Sequence, residues 1–248
     1  MIPKIIHQIW FQGWDKLPDE YQKNVQSVID HNPGYKHIKW DDKNIRAAIQ
    51  SIGPEYLAKY DNFKLLHQKI DFGRYAVLYL YGGISVDVDC EAVKGFDELP
   101  QINTADFIVS RINVIIKSLN NATILVKPKH PLLRNLLDLI PDKCGVFQTD
   151  FSCIRQTTGP AFFTKYLSQF PEQITFLDNS YFENCSGMDS ACQLKPNSIL
   201  NHKHALTWVP PIYVMFGKGY YKIKQYKIEL ILLFSLLLLA FLLYKILK

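Results

Sequence analysis

The stretch that most constrains this chain is Tyr79-Leu80-Tyr81-Gly82-Gly83-Ile84-Ser85-Val86-Asp87-Val88-Asp89. A helix-like apolar run stops at two glycines, a short β-rich run follows, and it ends on two carboxylates separated by one residue. In a strand, side chains alternate faces, so Asp87 and Asp89 are expected on one side and Ile84, Val86 and Val88 on the buried other. Two hard oxygen ligands at a strand end suit Mg²⁺ or Mn²⁺ holding a phosphate-bearing ligand. Asp-x-Asp alone also fits a strand ending in two solvated acids. An EF-hand loop is excluded, because its required glycine position, counted from Asp87, holds Ala92. An aspartate-nucleophile phosphatase expects a hydroxyl residue two places after the second acid, where this chain has Glu91.

The 248 residues suffice for one sizeable α/β domain, and 48% hydrophobic with 21% charged residues is ordinary globular material. Of the net charge of +5, a visible part sits in Lys218, Lys222, Lys224 and Lys227, beside an apolar C-terminal run. That placement favours a membrane surface over nucleic acid. From Ile228 to Leu247 the chain is almost wholly apolar, interrupted by Glu229, Ser235 and Lys245. About twenty helical residues span roughly 30 Å, a bilayer core, so a transmembrane helix is expected over 228–247 behind a basic linker, 218–227. The first residues show no signal peptide. The lysine excess ahead of the span places the domain on the cytosolic side by the positive-inside rule, with a Golgi or ER lumen as the alternative. Five cysteines without a Cys-x-x-Cys pair point to a reducing compartment and against zinc, although Cys185 and Cys192 would bridge in a lumen. Asn121-Ala122-Thr123 and Asn184-Cys185-Ser186 match the N-glycosylation triplet.

Strands are expected over 5–10, 35–40, 106–110, 114–116, 121–126 and 174–177. Helices alternate with them over 18–31, 44–52, 55–60, 62–81, 131–140 and 161–170. The segment 179–201 reads as an irregular surface loop. Strands interleaved with helices imply an α/β domain with a largely parallel sheet. On the helix before the glycines, Asp71 and Arg74 stand three apart and share a face. They read either as an exposed ion pair or as a functional pair reaching a ligand at the strand end.

Several segments occur in a telling order: Ile2-Pro3-Lys4-Ile5-Ile6-His7-Gln8-Ile9-Trp10, Asp71-Phe72-Gly73-Arg74-Tyr75, Tyr81 to Asp89, Asn121-Ala122 ahead of His130-Pro131, and Thr158-Gly159-Pro160. Together they resemble the DXD-containing, sugar-nucleotide-dependent glycosyltransferases of the Och1-like and inositol-phosphorylceramide mannosyltransferase group. The resemblance covers roughly residues 2–208 and implies a GT-A fold, with the catalytic domain over 1–217. It implies that Trp10 stacks on the nucleotide base, that Asp71 and Arg74, with Tyr75 beside them, hold the donor sugar, and that Asp87 and Asp89 bind Mn²⁺ or Mg²⁺. Gly82 and Gly83 would let the backbone turn tightly beside the ligand. His202, His204 and Trp208 stand where the family closes over the diphosphate, but Lys203 separates the paired histidines the family carries. The implied activity is retaining transfer of a hexose from a GDP- or UDP-sugar to a membrane-associated lipid or glycan, such as inositol phosphorylceramide. A metal-dependent phosphohydrolase and a non-catalytic sugar-nucleotide-binding protein are the alternatives.

Overall fold

The computed structural model describes residues 1–113, 118–183, 185, 189 and 192–246. Strand β1 (Ile5–Ile9) is followed by helix α1 (Asp19–Asp30), β2 (Lys36–Trp40), α2 (Asp42–Gln50), α3 (Pro54–Asn62) and α4 (Leu66–Tyr81). Next come β3 (Gly83–Val86), β4 (Cys90–Ala92), β5 (Phe107–Asn113), β6 (Ser118–Val126), α5 (Pro131–Leu139), α6 (Asp150–Thr157) and α7 (Pro160–Leu167). The chain closes with β7 (Thr175–Leu177), α8 (Asn179–Phe182), β8 (Leu200–His202) and α9 (Pro211–Ile246).

Six strands form one sheet in the order β2-β1-β3-β6-β5-β7. The β1–β2, β1–β3 and β5–β7 pairs are parallel, and only β6 runs against its neighbours. The sheet is buried on both faces, and the period-two alternation of its strands sorts side chains between two cores. Phe107, Val109, Ile124 and Val126 join Phe72, Leu78, Leu133 and Phe163 beneath α4, α5 and α7. Ile84, Val86, Ile108 and Leu125 join Val28, Phe96 and Phe182 on the other face.

Helix α4 is the spine of the first core, with Phe72, Tyr75, Ala76, Val77 and Leu78 fully buried. It starts at Leu66 rather than at residue 62, because Phe63 and Leu65 are extended and separate it from α3. Its end is set by the double glycine. Gly82 (φ 61°) and Gly83 (φ 95°) occupy the left-handed region. A Cβ on Gly83 would lie 2.5 Å from the Ile5 carbonyl oxygen, so the close β1–β3 approach also requires glycine. His7 locks the turn from below: its Nδ1 accepts from Trp40 Nε1 (3.0 Å), which leaves Nε2–H to donate to the Gly82 carbonyl (2.8 Å).

Several expectations are corrected here. β3 ends at Val86, so Asp87, Val88 and Asp89 form a turn rather than a strand end, and Val88 packs with Leu17 and Val25 in a separate small cluster. Residues 149–157 hold an unforeseen helix, α6, capped by Thr149. The segment 179–201, expected to be irregular surface, contains α8 and the buried Glu183. A strand expected over 114–116 lies outside the described residues. The reading of reduced thiols gives way to two disulfides, Cys144–Cys153 and Cys185–Cys192, with Cys90 buried as a free thiol.

The expected transmembrane segment is not supported. Among the described residues no helix is long and apolar enough to cross a membrane. Residues 247 and 248, and the side chains at 228, 230, 240–242, 244 and 246, lie outside the described set. The basic segment 218–227 is part of the continuous helix α9.

Candidate active site

A cavity of about 850 Å³ opens where α4, the 87–89 turn, β6 and the 202–208 segment meet. That volume is in the range of small-molecule sites. Among its lining residues are Trp10, Asp71, Arg74, Asp87, Asp89, Asn121, Glu183, His202, His204 and Trp208. Tyr75, Gly82 and Gly83, expected beside the ligand, do not line it. Tyr75 is fully buried and the glycines serve the turn.

Arg74 is the hub of one half. It is almost wholly buried, donates to the Asn121 carbonyl oxygen and forms a salt bridge with Asp87. Asn121 Nδ2 donates to Asp71 Oδ1 (2.8 Å) and to the Tyr75 hydroxyl (2.9 Å). Tyr75 OH donates to the Thr158 carbonyl (2.7 Å), and Thr158 Oγ1 donates to Asp71 Oδ2 (3.1 Å). A buried network of this kind fixes each side chain, since an unpaired member would pay its desolvation in full. Burial pushes the Asp71 carboxyl up to about 6, against the pull of Arg74, Thr158 and Asn121. Burial and then the charge on Asp89 push Asp87 up to about 7, while Arg74 draws it down. A third of the Asp87 side chain stays open to the cavity, so we assign it as the carboxylate partner of Arg74. Asn121 therefore cannot carry a glycan, because its amide nitrogen is committed inside this network. Asn184 lies outside the described residues.

The other half centres on Asp89. Strand β8 pairs with β4 so that His202 stands opposite Cys90, a contact between segments more than a hundred residues apart. His202 Nε2 lies 3.4 Å from Asp89 Oδ1, its Nδ1 lies 3.0 Å from Glu183 Oε2, and Ala205 N–H donates to Asp89 Oδ2 (2.9 Å). The His202 and His204 rings stack at 3.8 Å, and His204 Nε2–H donates to the Cys185 carbonyl (2.7 Å). Burial alone would lower His202, but Glu183 and Asp89 overcome it and hold the ring well above its ordinary value. Burial would likewise raise Asp89, yet the His202 contacts and the Ala205 N–H bring it down to about 2.

Among the described residues, Asp89, Cys90 and His202 form one group with converging ligand atoms, and Glu183, His202 and His204 form another. Asp87 belongs to neither, being turned to Arg74. The converging donors of Asp89 and His202 are carboxylate and imidazole, with the Asp87 carboxylate paired to Arg74. That set fits Mn²⁺ better than Mg²⁺, which avoids nitrogen ligands. Binding a cation there would release the His202 proton. Among the described residues, Arg74 Nε and Trp10 Nε1 are buried without a hydrogen-bond partner in the chain. Both belong to residues that line the cavity, and such orphans need a ligand or water to satisfy them. Trp10 presents its ring beside Tyr21, edge-on at 5.7 Å.

The chain has relatives in sequence and in fold. Residues 18–106 match the family described as "glycosyltransferase sugar-binding region containing DXD motif". An uncharacterised glycosyltransferase of Acanthamoeba polyphaga mimivirus is 31% identical over 218 residues, covering 85% of each chain. The chain belongs to the DXD glycosyltransferase family. Inositol phosphoceramide mannosyltransferase 3 of Schizosaccharomyces pombe is 29% identical over 65% of this chain, but the match spans only 43% of that relative's length. Among solved structures, the PaToxG glycosyltransferase superposes with a TM-score of 0.53 at 22% identity, covering 69% of this chain and 70% of that one. Mouse xyloside xylosyltransferase 1 gives 0.51 at 13%, covering 83% and 99%. Those two likenesses establish the fold, a GT-A type α/β sandwich.

Of the residues the family reading misses, Asn121 had a signal in its place ahead of His130-Pro131. Glu183 had none, because its partner histidines are distant in sequence and its segment reads as loop.

Proposed function

We propose that this chain is a retaining hexosyltransferase that moves mannose, or a related hexose, from a nucleotide diphosphate sugar to an inositol-phosphate sphingolipid. The observation that carries the reading is one cavity holding the Asp71–Arg74–Asn121 network, the Asp87/Asp89 turn and an aromatic wall at Trp10. The catalytic domain comprises 1–217 in this reading.

Trp10 offers its face to the base, and its unpartnered Nε1–H offers a donor. Asp71, fixed by Asn121 and Thr158, accepts from a sugar hydroxyl, and Arg74 donates through its free Nε. Asp89, with His202 and with Asp87 alongside, would hold a divalent ion, Mn²⁺ by preference. When bound, that ion supplies charge neutralisation to the departing diphosphate. Without a cation, His202 is held as an imidazolium by two carboxylates and places positive charge on the same side; as a ligand it would give up that proton. Asp87 is ion-paired and Asp89 doubly engaged, so neither is disposed as a nucleophile, which favours attack by the acceptor hydroxyl on the leaving-group side.

The lipid acceptor is supported by the named activities of the fungal relatives and by the long exposed helix α9. The two disulfides support an oxidising compartment for the domain, which favours the lumenal alternative over the cytosolic one. The test is sugar transfer by the full chain from labelled GDP-mannose and UDP-sugars to inositol phosphoceramide in mixed micelles. Label appearing in the lipid supports the reading. Turnover of a donor with transfer only to soluble glycans would overturn the lipid acceptor, and phosphate release without sugar release would indicate a phosphohydrolase.

A further inference from the structure

Two exposed apolar features adjoin α6 and α9, elements that help line the cavity, and neither serves the site just described. The first is the Gly145–Gln148 turn, where Val146 is 92% and Phe147 99% exposed. Large apolar side chains at a turn tip are normally tucked in, yet these are held out. The Cys144–Cys153 disulfide ties the turn to α6, Gln148 N–H donates to the Gly145 carbonyl (3.1 Å), and Gly145 N–H donates to Gln148 Oε1 (2.8 Å). The second is the first half of α9. Ile212, Phe216, Tyr220, Ile223 and Tyr226 are all exposed, and their i, i+4, i+8, i+11, i+14 spacing puts them on one helix face. By the same helical spacing Lys218 and Lys222 stand to one side of that stripe, Lys224 to the other and Lys227 within its C-terminal end, all exposed.

The two features belong to one edge. Phe151, in the first turn of α6, stacks on Tyr213 of α9 at 5.4 Å and lies tilted against Trp208 at 5.2 Å. Ile154 of α6, Trp208 and Tyr221 of α9 line the cavity. Thus the inner face of α9 borders the site while its outer face is open.

We propose that the Val146–Phe147 turn and the 212–226 stripe of α9 form a single docking edge that seats the cavity mouth on an anionic bilayer. An aromatic-rich apolar stripe flanked by lysines is the pattern of a helix lying in a lipid interface, its rings at headgroup depth and its ammonium groups among phosphates. The stapled turn adds a pre-ordered apolar wedge. The partner chemistry is a phosphate-bearing lipid surface, and the proposal rests on the lipid-acceptor reading, whose acceptor is itself an anionic inositol phospholipid. Docking would shorten the path of such a headgroup into the cavity and raise its effective concentration there.

The test uses the full chain carrying Phe147→Trp, its emission taken as the difference from the parent chain. The probes are phosphatidylcholine vesicles with and without phosphatidylinositol, part of the lipid brominated. Emission from position 147 is expected to shift to the blue and be quenched by brominated lipid. Replacing these four lysines by glutamine is expected to weaken binding to phosphatidylinositol vesicles by roughly five-fold per lysine, with donor hydrolysis in solution unchanged. An emission at 147 that stays water-like and unquenched on vesicle-bound protein overturns the proposal, and is the result expected if a protein partner covers this edge. Equal affinity for both vesicle types also overturns it. Lipid contact at 147 without sugar transfer to any lipid keeps the docking edge and removes the lipid-acceptor reading instead.

Discussion

Replacing Asn121 by aspartate changes one nitrogen to oxygen and tests whether the buried network is what fixes Asp71. The parent amide donates to Asp71 Oδ1 at 2.8 Å and to Tyr75 OH at 2.9 Å. In Asn121→Asp both contacts become acceptor against acceptor, because the Tyr75 proton is already given to the Thr158 carbonyl. Each buried polar group left unpaired costs about 1–3 kcal/mol, so the loss at pH 8 is expected at roughly 2–6 kcal/mol, a large share of a domain's stability. Ionised together, the two carboxylates at this distance repel, so the folded pair takes up a proton at a pH above the unfolded value, and that proton restores the Asp71 contact. Stability of the variant therefore falls as pH rises, and the deficit shrinks at pH 5. The assay is urea unfolding of parent and variant at both pH values, with calorimetric donor binding at pH 8. A variant within about 1 kcal/mol of the parent at pH 8, with no pH dependence and unchanged donor affinity, would refute the reasoning.

His7 is buried and neutral, with burial lowering it to about 4 against an ordinary 6.5. The unfolded chain therefore binds the extra proton first, and stability falls as pH drops from 6.5 toward 4, by up to about 3 kcal/mol; His7→Gln should flatten that part of an acid-unfolding profile. Gly83→Ala puts a Cβ 2.5 Å from the Ile5 carbonyl oxygen at a φ of 95°. It is expected to yield little folded protein by circular dichroism, and a parent-like melting curve would contradict the turn's description. The Cys144–Cys153 pair closes a short loop across a sequence separation of 9. Its double serine variant is expected to lose roughly 2–3 kcal/mol in denaturant unfolding under non-reducing conditions, and an unchanged midpoint would count against the bridge.

How legible all this was depends on the range of the interactions. The alternation of Phe107, Ile108 and Val109, and of Ile124, Leu125 and Val126, between two cores follows from period-two patterning, so these strands could be read locally. The i, i+3 placement of Asp71 and Arg74 is likewise local, and both reach the cavity. The Asp87–Asp89 stretch misled because strand logic was extended past Val86 into a turn, where alternation no longer applies. The resemblance puts Asp89 and His202 at the diphosphate, but their contact and Glu183's part in it were not legible, since the first depends on the β4–β8 register and the second on the end of α8. Cys185–Cys192 is the bridge expected of a lumenal domain, whereas Cys144–Cys153 is not foreseen, since cysteine count does not dictate partners or compartment. In α9, composition pointed to a membrane span. The exposed stripe with flanking lysines emerges only once the helix is seen to run unbroken from Pro211.

The most direct test of the central claim is donor hydrolysis by the full chain, with GDP- and UDP-sugars, in Mn²⁺, in Mg²⁺ and after chelation. The account predicts that one sugar nucleotide is turned over, that Mn²⁺ supports it best, and that Asp87→Asn with Asp89→Asn abolishes turnover while the fold survives. Turnover that persists in the chelated parent or in the double variant would contradict the assignment of these acids to metal-assisted departure of the diphosphate.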